Sequence, residues 1–247
     1  MRIVLVDTNE RLVQNWRNLM GNVSTARHSV LVMKGRLSIL SGSQINKPAA
    51  VVSPGNSFGY LGGGFDLALR EYFGGTKFEQ YFREQLGDTY RTVGSTKVVP
   101  LNSWGRDGFE YIVYVPTVVA PSRPLFDAER PRETGFEPVF NAMWNALIHV
   151  PAGTQTLVIP GLCSGYAGVP LDISSKSMCF ALRLYLIKNT ISKDLQRVLI
   201  LQFLGYNYAP FMDNDWEEEC EAVGIDVRKL MKFDVANDSI NEIMPII

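Results

Sequence analysis

Residues 50–70, AVVSPGNSFGYLGGGFDLALR, join an apolar strand to a helical pattern through a turn that contains three consecutive glycines. Glycine loses more backbone entropy on folding than any other residue, so a run of three lowers stability. A flexible turn would explain such a run in isolation. The alternative is that a ligand approaches the main chain closely here, because backbone N–H groups beside a helix N-terminus bind phosphate well.

A second glycine-rich turn follows the apolar run 157–159 and reads PGLCSGYAGVPLDISSKS. It also lies between a predicted strand and a predicted helix, and it contains Gly161, Gly165 and Gly168. Ligands of open α/β sheets bind outside the carboxyl ends of the strands, which is where both turns would lie. Two such turns in one chain therefore predict a cleft with two phosphate-binding walls.

Short β-rich runs alternate with helical periodicity along the chain. This pattern is typical of α/β proteins, in which helices cover both faces of a mixed sheet. The segment after residue 135 places apolar side chains at spacings of three and four, which predicts a helix with one face on the sheet. The predicted strands cover residues 2–6, 29–33, 49–53, 95–100, 111–118, 156–159 and 197–203.

The composition indicates an ordinary globular chain of 247 residues, of which 46% are hydrophobic and 20% are charged. We predict a domain over residues 1–210 and an acidic helical extension over residues 211–247 that packs on it. The net charge is −1, so the chain lacks the surplus of Lys and Arg on which general nucleic-acid binding depends. We therefore expect no general nucleic-acid binding.

The cysteines and the first residues bear on the cellular compartment. Cys163, Cys179 and Cys220 are widely spaced, so neither a disulfide framework nor a zinc site is predicted, and a reducing environment is expected. The first apolar run has about five residues, too few for a signal peptide or a bilayer span. We expect a cytoplasmic or nuclear protein that does not associate with membranes, and we expect a monomer.

Other phosphate chemistries need residues that this chain lacks. Asp7 ends the first strand as in aspartyl-phosphate phosphatases, but Asn9 stands where their acid/base Asp would be, so Asp7 is interpreted as a cap or turn residue. Cys163 lies in a glycine-rich loop, but Val169 stands where a cysteine phosphatase has its Arg. Neither a P-loop nor a dinucleotide fingerprint is present. What remains is a cleft of backbone N–H groups, one amide and one carboxylate, with no metal and no cofactor.

The two loops resemble those of the macrodomain family, whose members bind ADP-ribose and in several branches hydrolyse its derivatives. The resemblance is carried, in the family's order, by SPGNSFGYLGGGFDLAL, by the intervening strand YIVYVPTVVAP and by PGLCSGYAGVP. The resemblance covers residues 2–204, and the loops and flanking strands look closest to those of fungal ADP-ribose 1″-phosphate phosphatases. It implies a three-layer α/β/α fold with a mixed, mostly parallel central sheet, and a small-molecule substrate derived from ADP-ribose.

The resemblance also implies roles for individual residues. Asn56 matches the asparagine that hydrogen-bonds the distal ribose, although it could instead be a turn former. Asp66 matches the aspartate that hydrolytic branches use to activate water, although it could instead stabilise the helix N-terminus. Ser164, Gly165 and Tyr166 would donate backbone N–H groups to the diphosphate. The other expected substrate-binding residues are Gly55, Gly62, Gly63, Gly64, Phe65, Gly161, Ala167, Gly168 and Asp7.

The sequence departs from the family pattern at several positions. Arg36 stands where the family has an Asp that accepts a hydrogen bond from the adenine amino group, and a guanidinium cannot accept one. Asp7 is the expected substitute acceptor. Ser53 replaces the first asparagine of the loop, Leu61 replaces a histidine of some viral members, and Ala167 replaces an aromatic residue.

Three functions remain open at this point. The first is a metal-independent phosphatase acting on ADP-ribose 1″-phosphate, the second is a hydrolase of ADP-ribosyl groups on acidic side chains, and the third is a binding module without turnover. Asp66 favours hydrolysis, because many plain binders lack an acid there. The Pro- and Arg-containing segment 120–133 is either a rim or lid beside the cleft, which would favour small substrates, or a solvated connection.

Overall fold

The computed structural model describes residues 1–21, 25, 27–40, 44–211 and 216–245. Within these residues, six strands form one sheet in the order β2-β1-β6-β3-β5-β4, and only the β4–β5 pairing is antiparallel. The strands are β1 (Arg2–Asp7), β2 (Ser29–Lys34), β3 (Ala49–Ser53), β4 (Lys97–Pro100), β5 (Phe109–Tyr114) and β6 (Thr156–Ile159).

Helices pack on both faces of this sheet. The α-helices of the described residues are α1 (Glu10–Met20), α2 (Gly64–Phe73), α3 (Thr76–Leu86), α4 (Glu137–Ile148), α5 (Leu171–Ile187), α6 (Lys193–Leu204), α7 (Trp216–Ala222) and α8 (Val227–Lys232). Helices α2 and α3 contribute to one hydrophobic core, and the remaining helices contribute to the other. The predicted three-layer α/β/α fold with a mixed, mostly parallel central sheet is confirmed.

The central strands are buried on both faces. Every residue of β3 and β6 is buried, as expected for parallel strands between two helical layers. Side chains of β1 alternate between the two cores, with Ile3 in one and Val4 in the other, because the side-chain period of a strand is two. Since β3 and β6 are neighbours, the loops that follow them leave the sheet side by side.

The prediction of a strand over residues 197–203 is wrong, because this segment belongs to α6. The Ser192 side chain accepts a hydrogen bond from Leu195 N at the start of the helix, and Gly205 ends it with a left-handed φ of 76°. A short apolar run cannot be assigned to strand or helix by periodicity alone. The buried side chains recur at spacings of three and four, namely Leu195, Val198, Leu199 and Phe203.

Two strands are shorter than the sequence pattern predicts. β4 begins at Lys97, and β5 ends at Tyr114, two residues before Pro116, which has no N–H to donate to a ladder. Beyond Tyr114, Val115 N still donates a hydrogen bond to Ser53 O at 2.9 Å, and Val118 forms an isolated parallel bridge with Asn56. This bridge ties the segment after β5 to the first glycine-rich loop.

The C-terminal segment packs on the same core as α5. Leu230 and Ile240 are fully buried there, and the Lys176 ammonium of α5 donates hydrogen bonds to Val235 O at 2.8 Å and Asp238 O at 3.0 Å. The division of the chain near residue 210 stays a prediction. In the part of the chain that the structure describes, no helix is both long and apolar enough to cross a bilayer.

Candidate functional site

A cavity of about 1030 Å³ lies at the carboxyl ends of β3 and β6, between the two glycine-rich loops. Its lining is completed by residues 7–9 at the end of β1, residues 35–37 after β2 and several residues between 117 and 121. The cavity is therefore located where open α/β sheets bind ligands. This is also the place at which the glycine pattern predicts a cleft.

All but one of the predicted site residues line this cavity. The exception is Gly168, whose N–H donates to Gly165 O at 2.9 Å and at which a Cβ would lie 3.1 Å from the Pro124 Cβ, so a contact of Gly168 with substrate stays a prediction. With φ at +71°, Gly168 shapes the turn. The predicted residues in the lining are Asp7, Gly55, Asn56, Gly62, Gly63, Gly64, Phe65, Asp66, Gly161, Ser164, Gly165, Tyr166 and Ala167.

Both loops carry backbone N–H groups without a hydrogen-bond acceptor in the part of the chain that the structure describes. Residues 62–66 and 163–167 all line the cavity, and none of their backbone N–H groups has a hydrogen-bond partner among the described residues. The first run leads into α2, whose opening N–H groups have no acceptor within the helix. Clustered free N–H groups of this kind bind phosphate and other anions.

The two loops approach each other at Gly63 and Tyr166. A Cβ on Gly63 would lie 2.7 Å from a carbon of the Tyr166 ring, so a larger residue would displace that ring. Tyr166 is 63% exposed and lines the cavity, so a ligand can reach it. Glycine at position 63 therefore lets the Tyr166 ring lie as close to the first loop as it does.

Asp66 is the buried acid of the cavity. It is 7% exposed, and its Oδ1 accepts a hydrogen bond from Ser53 Oγ at 2.7 Å, the only donor to it among the described residues. Burial raises the pKa of Asp66 to about 7, and the Ser53 hydrogen bond opposes this rise. Among the described residues, no backbone N–H donates to the Asp66 carboxyl group, so Asp66 does not cap α2 through a hydrogen bond.

Asn56 is held within its own turn. Its Oδ1 accepts a hydrogen bond from Phe58 N at 3.1 Å, and its Nδ2 donates to Tyr60 O at 2.6 Å. The Tyr114 hydroxyl donates to Asn56 O and accepts from Gly59 N at 3.1 Å, which fixes the loop on the sheet. A carboxamide has two N–H groups and two lone pairs, so Asn56 retains one donor and one acceptor for a ligand.

At the opposite end of the cavity, Asp7 joins the first strand to the second loop. Its Oδ1 accepts a hydrogen bond from Asn9 N at 2.8 Å, and its Oδ2 accepts one from Gly161 N at 3.2 Å. Asp7 is thus a turn residue, and Asn9 is the cap of α1. A carboxylate accepts about four hydrogen bonds, so Asp7 can still accept from a ligand. Arg36 is exposed and also lines the cavity, which leaves the recognition of adenine by Asp7 a prediction.

The segment 120–133 packs beside the second loop. Leu125 N and Phe126 N donate hydrogen bonds to Ala167 O at 2.8 and 3.1 Å, and Pro121 lines the cavity. Leu125 and Phe126 also pack against the core of α4 and α5. These contacts support the interpretation of this segment as part of the rim, in preference to a solvated connection.

Cys163 also lines the cavity, but it is not an ionised nucleophile. Its thiol is buried, and burial raises the pKa of Cys163 to about 12. The residue has a left-handed φ of 57°, which is uncommon outside glycine and directs the turn of the second loop. No three His, Cys, Asp or Glu side chains within the described residues are grouped so that they could hold a metal ion.

Sequence reasoning missed two residues that organise the site. Ser53, noted only as a departure from the family pattern, donates to Asp66, and Tyr114 holds the loop of Asn56. A polar residue at the end of an otherwise apolar strand is the one signal that could have indicated Ser53. Nothing in a single sequence distinguishes Tyr114 from the other aromatic residues of the core.

The fold and the cavity define a class: an α/β protein with an anion-binding cleft between two glycine-rich loops and a buried carboxyl group in that cleft. The chain belongs to the Macro-like domain family, whose model matches residues 1–247. Members of this family generally bind or process ADP-ribose.

Solved macrodomain structures are similar to parts of the chain. The macrodomain of Mycobacterium tuberculosis DarG is 16% identical, with a TM-score of 0.43, over 54% of this chain and 80% of that chain. The Oceanobacillus iheyensis macrodomain with MES bound is 18% identical, with a TM-score of 0.46, over 59% and 73%. A point mutant of the latter with ADPR is 15% identical, with a TM-score of 0.44, over 56% and 70%. The family assignment rests on the family model.

Proposed function

We propose that this protein is an ADP-ribose 1″-phosphate phosphatase, which hydrolyses the 1″-phosphomonoester to ADP-ribose and phosphate without a metal. The observation that carries the proposal is Asp66, a buried carboxyl group with a pKa of about 7 in a cavity lined by free backbone N–H groups. A group that changes protonation near neutral pH is suited to general acid–base catalysis. Its position in the ligand cavity gives it access to a substrate.

The proposed chemistry follows from these groups. Water attacks phosphorus, the bond between phosphorus and the 1″ oxygen breaks, and the Asp66 carboxylate takes a proton from the water and returns it to the departing ADP-ribose oxygen. The N–H groups of residues 62–66 stabilise the charge on the phosphoryl oxygens, and those of residues 163–167 bind the diphosphate. Asn56 orients the distal ribose through its remaining donor and acceptor.

The test is phosphate release from ADP-ribose 1″-phosphate by the purified protein in EDTA. The Asp66→Asn variant should lose at least about 100-fold in rate, the usual contribution of a general acid–base group. Glu221→Gln is the matched control, because Glu221 is exposed on α7 and does not line the cavity. Equal rates in wild type and Asp66→Asn would contradict the assigned role of the carboxyl group.

Two other functions use the same cavity and are outcomes of the same test. A hydrolase of ADP-ribosylated acidic side chains would release ADP-ribose from modified protein and little phosphate from the small substrate. A binding module would bind ADP-ribose without turnover of either. The packing of segment 120–133 on the second loop supports the small substrate, because it adds a wall that includes Pro121 to the cavity.

A further inference from the structure

A groove of about 670 Å³ adjoins the cavity and shares Phe58 and Tyr60 with its lining. The groove runs between the first loop, α3 and the turn at residues 87–89. The Tyr60 side chain is 55% exposed, and its carbonyl accepts the hydrogen bond from Asn56 Nδ2. The groove therefore begins next to the residue that we assign to the distal ribose, at the reacting end of the cavity.

Arg83 of α3 lies over Tyr60 in this groove. The guanidinium carbon is 4.4 Å from the centroid of the Tyr60 ring, a cation–π contact that holds the planar group in place. Among the described residues, no acceptor forms a hydrogen bond or an ion pair with the Arg83 side chain. Its five N–H donors are thus oriented by the ring and remain free for a ligand.

Each acidic side chain of the groove has a hydrogen-bond or ion-pair partner other than Arg83. The pairs are Glu79 with Arg70 at 3.8 Å, Glu84 with Gln80 at 3.1 Å and Asp88 with Arg91 at 2.8 Å. Among the described residues, Arg83 is therefore the charged side chain of the groove whose hydrogen-bond donors are all still available. Guanidinium groups with free donors bind phosphate oxygens in pairs.

We propose that Arg83 and Tyr60 form an anion subsite for the phosphate group on the distal ribose. This inference rests on the proposed function and adds to it a residue that distinguishes substrate from product. ADP-ribose ends in a neutral hydroxyl at that position, whereas the substrate carries a dianion. Arg83 would therefore strengthen binding of the substrate and leave binding of the product unchanged, which favours product release.

The experiment compares binding of ADP-ribose and ADP-ribose 1″-phosphate by calorimetry in the Asp66→Asn protein, in which hydrolysis does not obscure binding. Arg83→Gln in this background should weaken binding of the phosphorylated ligand by roughly 10- to 100-fold, the value of charge-assisted hydrogen bonds, and should leave ADP-ribose binding unchanged. Arg106→Gln is the matched control: Arg106 lies over the Tyr72 ring at 4.9 Å, outside the lining of both the cavity and the groove.

Three results would overturn the subsite: an equal loss for both ligands, no loss for either, or no preference of the Asp66→Asn protein for the phosphorylated ligand. Thermal unfolding of each variant checks that it folds. Because the comparison measures binding alone, it is separate from the test of the proposed function. Phosphate release with unchanged selectivity in Arg83→Gln would refute the subsite and retain the phosphatase.

Discussion

Replacing Asp66 by Asn should stabilise the protein at neutral and alkaline pH while it abolishes hydrolysis. The carboxamide has the shape of the protonated carboxyl group, and its Oδ1 can still accept the hydrogen bond from Ser53 Oγ. At pH 8 the wild-type protein holds a buried negative charge whose single donor among the described residues is that hydroxyl. The Asn variant holds no charge there, so it avoids the desolvation of a carboxylate.

The magnitude follows from the pKa of Asp66, which burial raises from 3.8 to about 7. At about 1.4 kcal/mol per pH unit, this difference corresponds to about 4 kcal/mol of unfolding free energy. The folded state binds the proton more tightly than the unfolded state. The stability that this group contributes is therefore complete below about pH 4 and is lost as the pH rises to about 7.

The assay is urea unfolding of wild type, Asp66→Asn and the exposed control Glu221→Gln between pH 4 and pH 8. The advantage of Asp66→Asn over wild type should be close to zero at the acid end, grow with pH and level off above about pH 7. Two results would refute the reasoning that the buried carboxyl group binds a proton more tightly in the folded state. One is a difference in unfolding free energy between the two proteins that does not change with pH, and the other is a wild type more stable than Asp66→Asn at pH 8.

Three further variants test other contacts of the site. Ser53→Ala removes the hydrogen bond that lowers the pKa of Asp66, so the midpoint of the pH–rate profile should move to higher pH, as measured by phosphate release. Gly63→Glu places a Cβ 2.7 Å from a carbon of the Tyr166 ring and adds a negative charge to the first loop, so it should weaken ADP-ribose binding in calorimetry by about 10-fold or more. Tyr114→Phe keeps the buried ring but removes the hydroxyl that holds the first loop, and it should reduce kcat more than it raises KM. These assignments would be contradicted by an unchanged pH midpoint in Ser53→Ala, an unchanged affinity in Gly63→Glu or an unchanged kcat in Tyr114→Phe.

The two loops could be predicted from the sequence because their chemistry is local. A glycine run after a buried strand and before a helix specifies both the turn and the free N–H groups, as at residues 62–66. The central strands β3 and β6 could be predicted for a related reason: they are short, continuously apolar and bounded by turn residues. The cleft between them then follows from the rule for open α/β sheets.

The contacts that tune the site could not be predicted, because they depend on tertiary packing. Ser53 and Asp66 are 13 residues apart and meet only once the strand, the loop and α2 are in place. The stacking of Arg83 on Tyr60 likewise requires the position of α3 relative to the first loop. The strand predicted over residues 197–203 is wrong for a local reason: the caps at Ser192 and Gly205 specify a helix, and the apolar run alone does not distinguish helix from strand.

The pH dependence of kcat/KM for phosphate release from ADP-ribose 1″-phosphate in EDTA tests the central claim most directly. If the Asp66 carboxylate activates water, kcat/KM should rise with pH through an apparent pKa of about 7 and should be lost in Asp66→Asn. Ser53→Ala, measured in parallel, should shift this pKa upward. Such a shift would identify Asp66 as the titrating group, because the pKa of the substrate's phosphate does not depend on Ser53. Phosphate release by Asp66→Asn at the wild-type rate, or no release by wild type at any pH, would contradict the account.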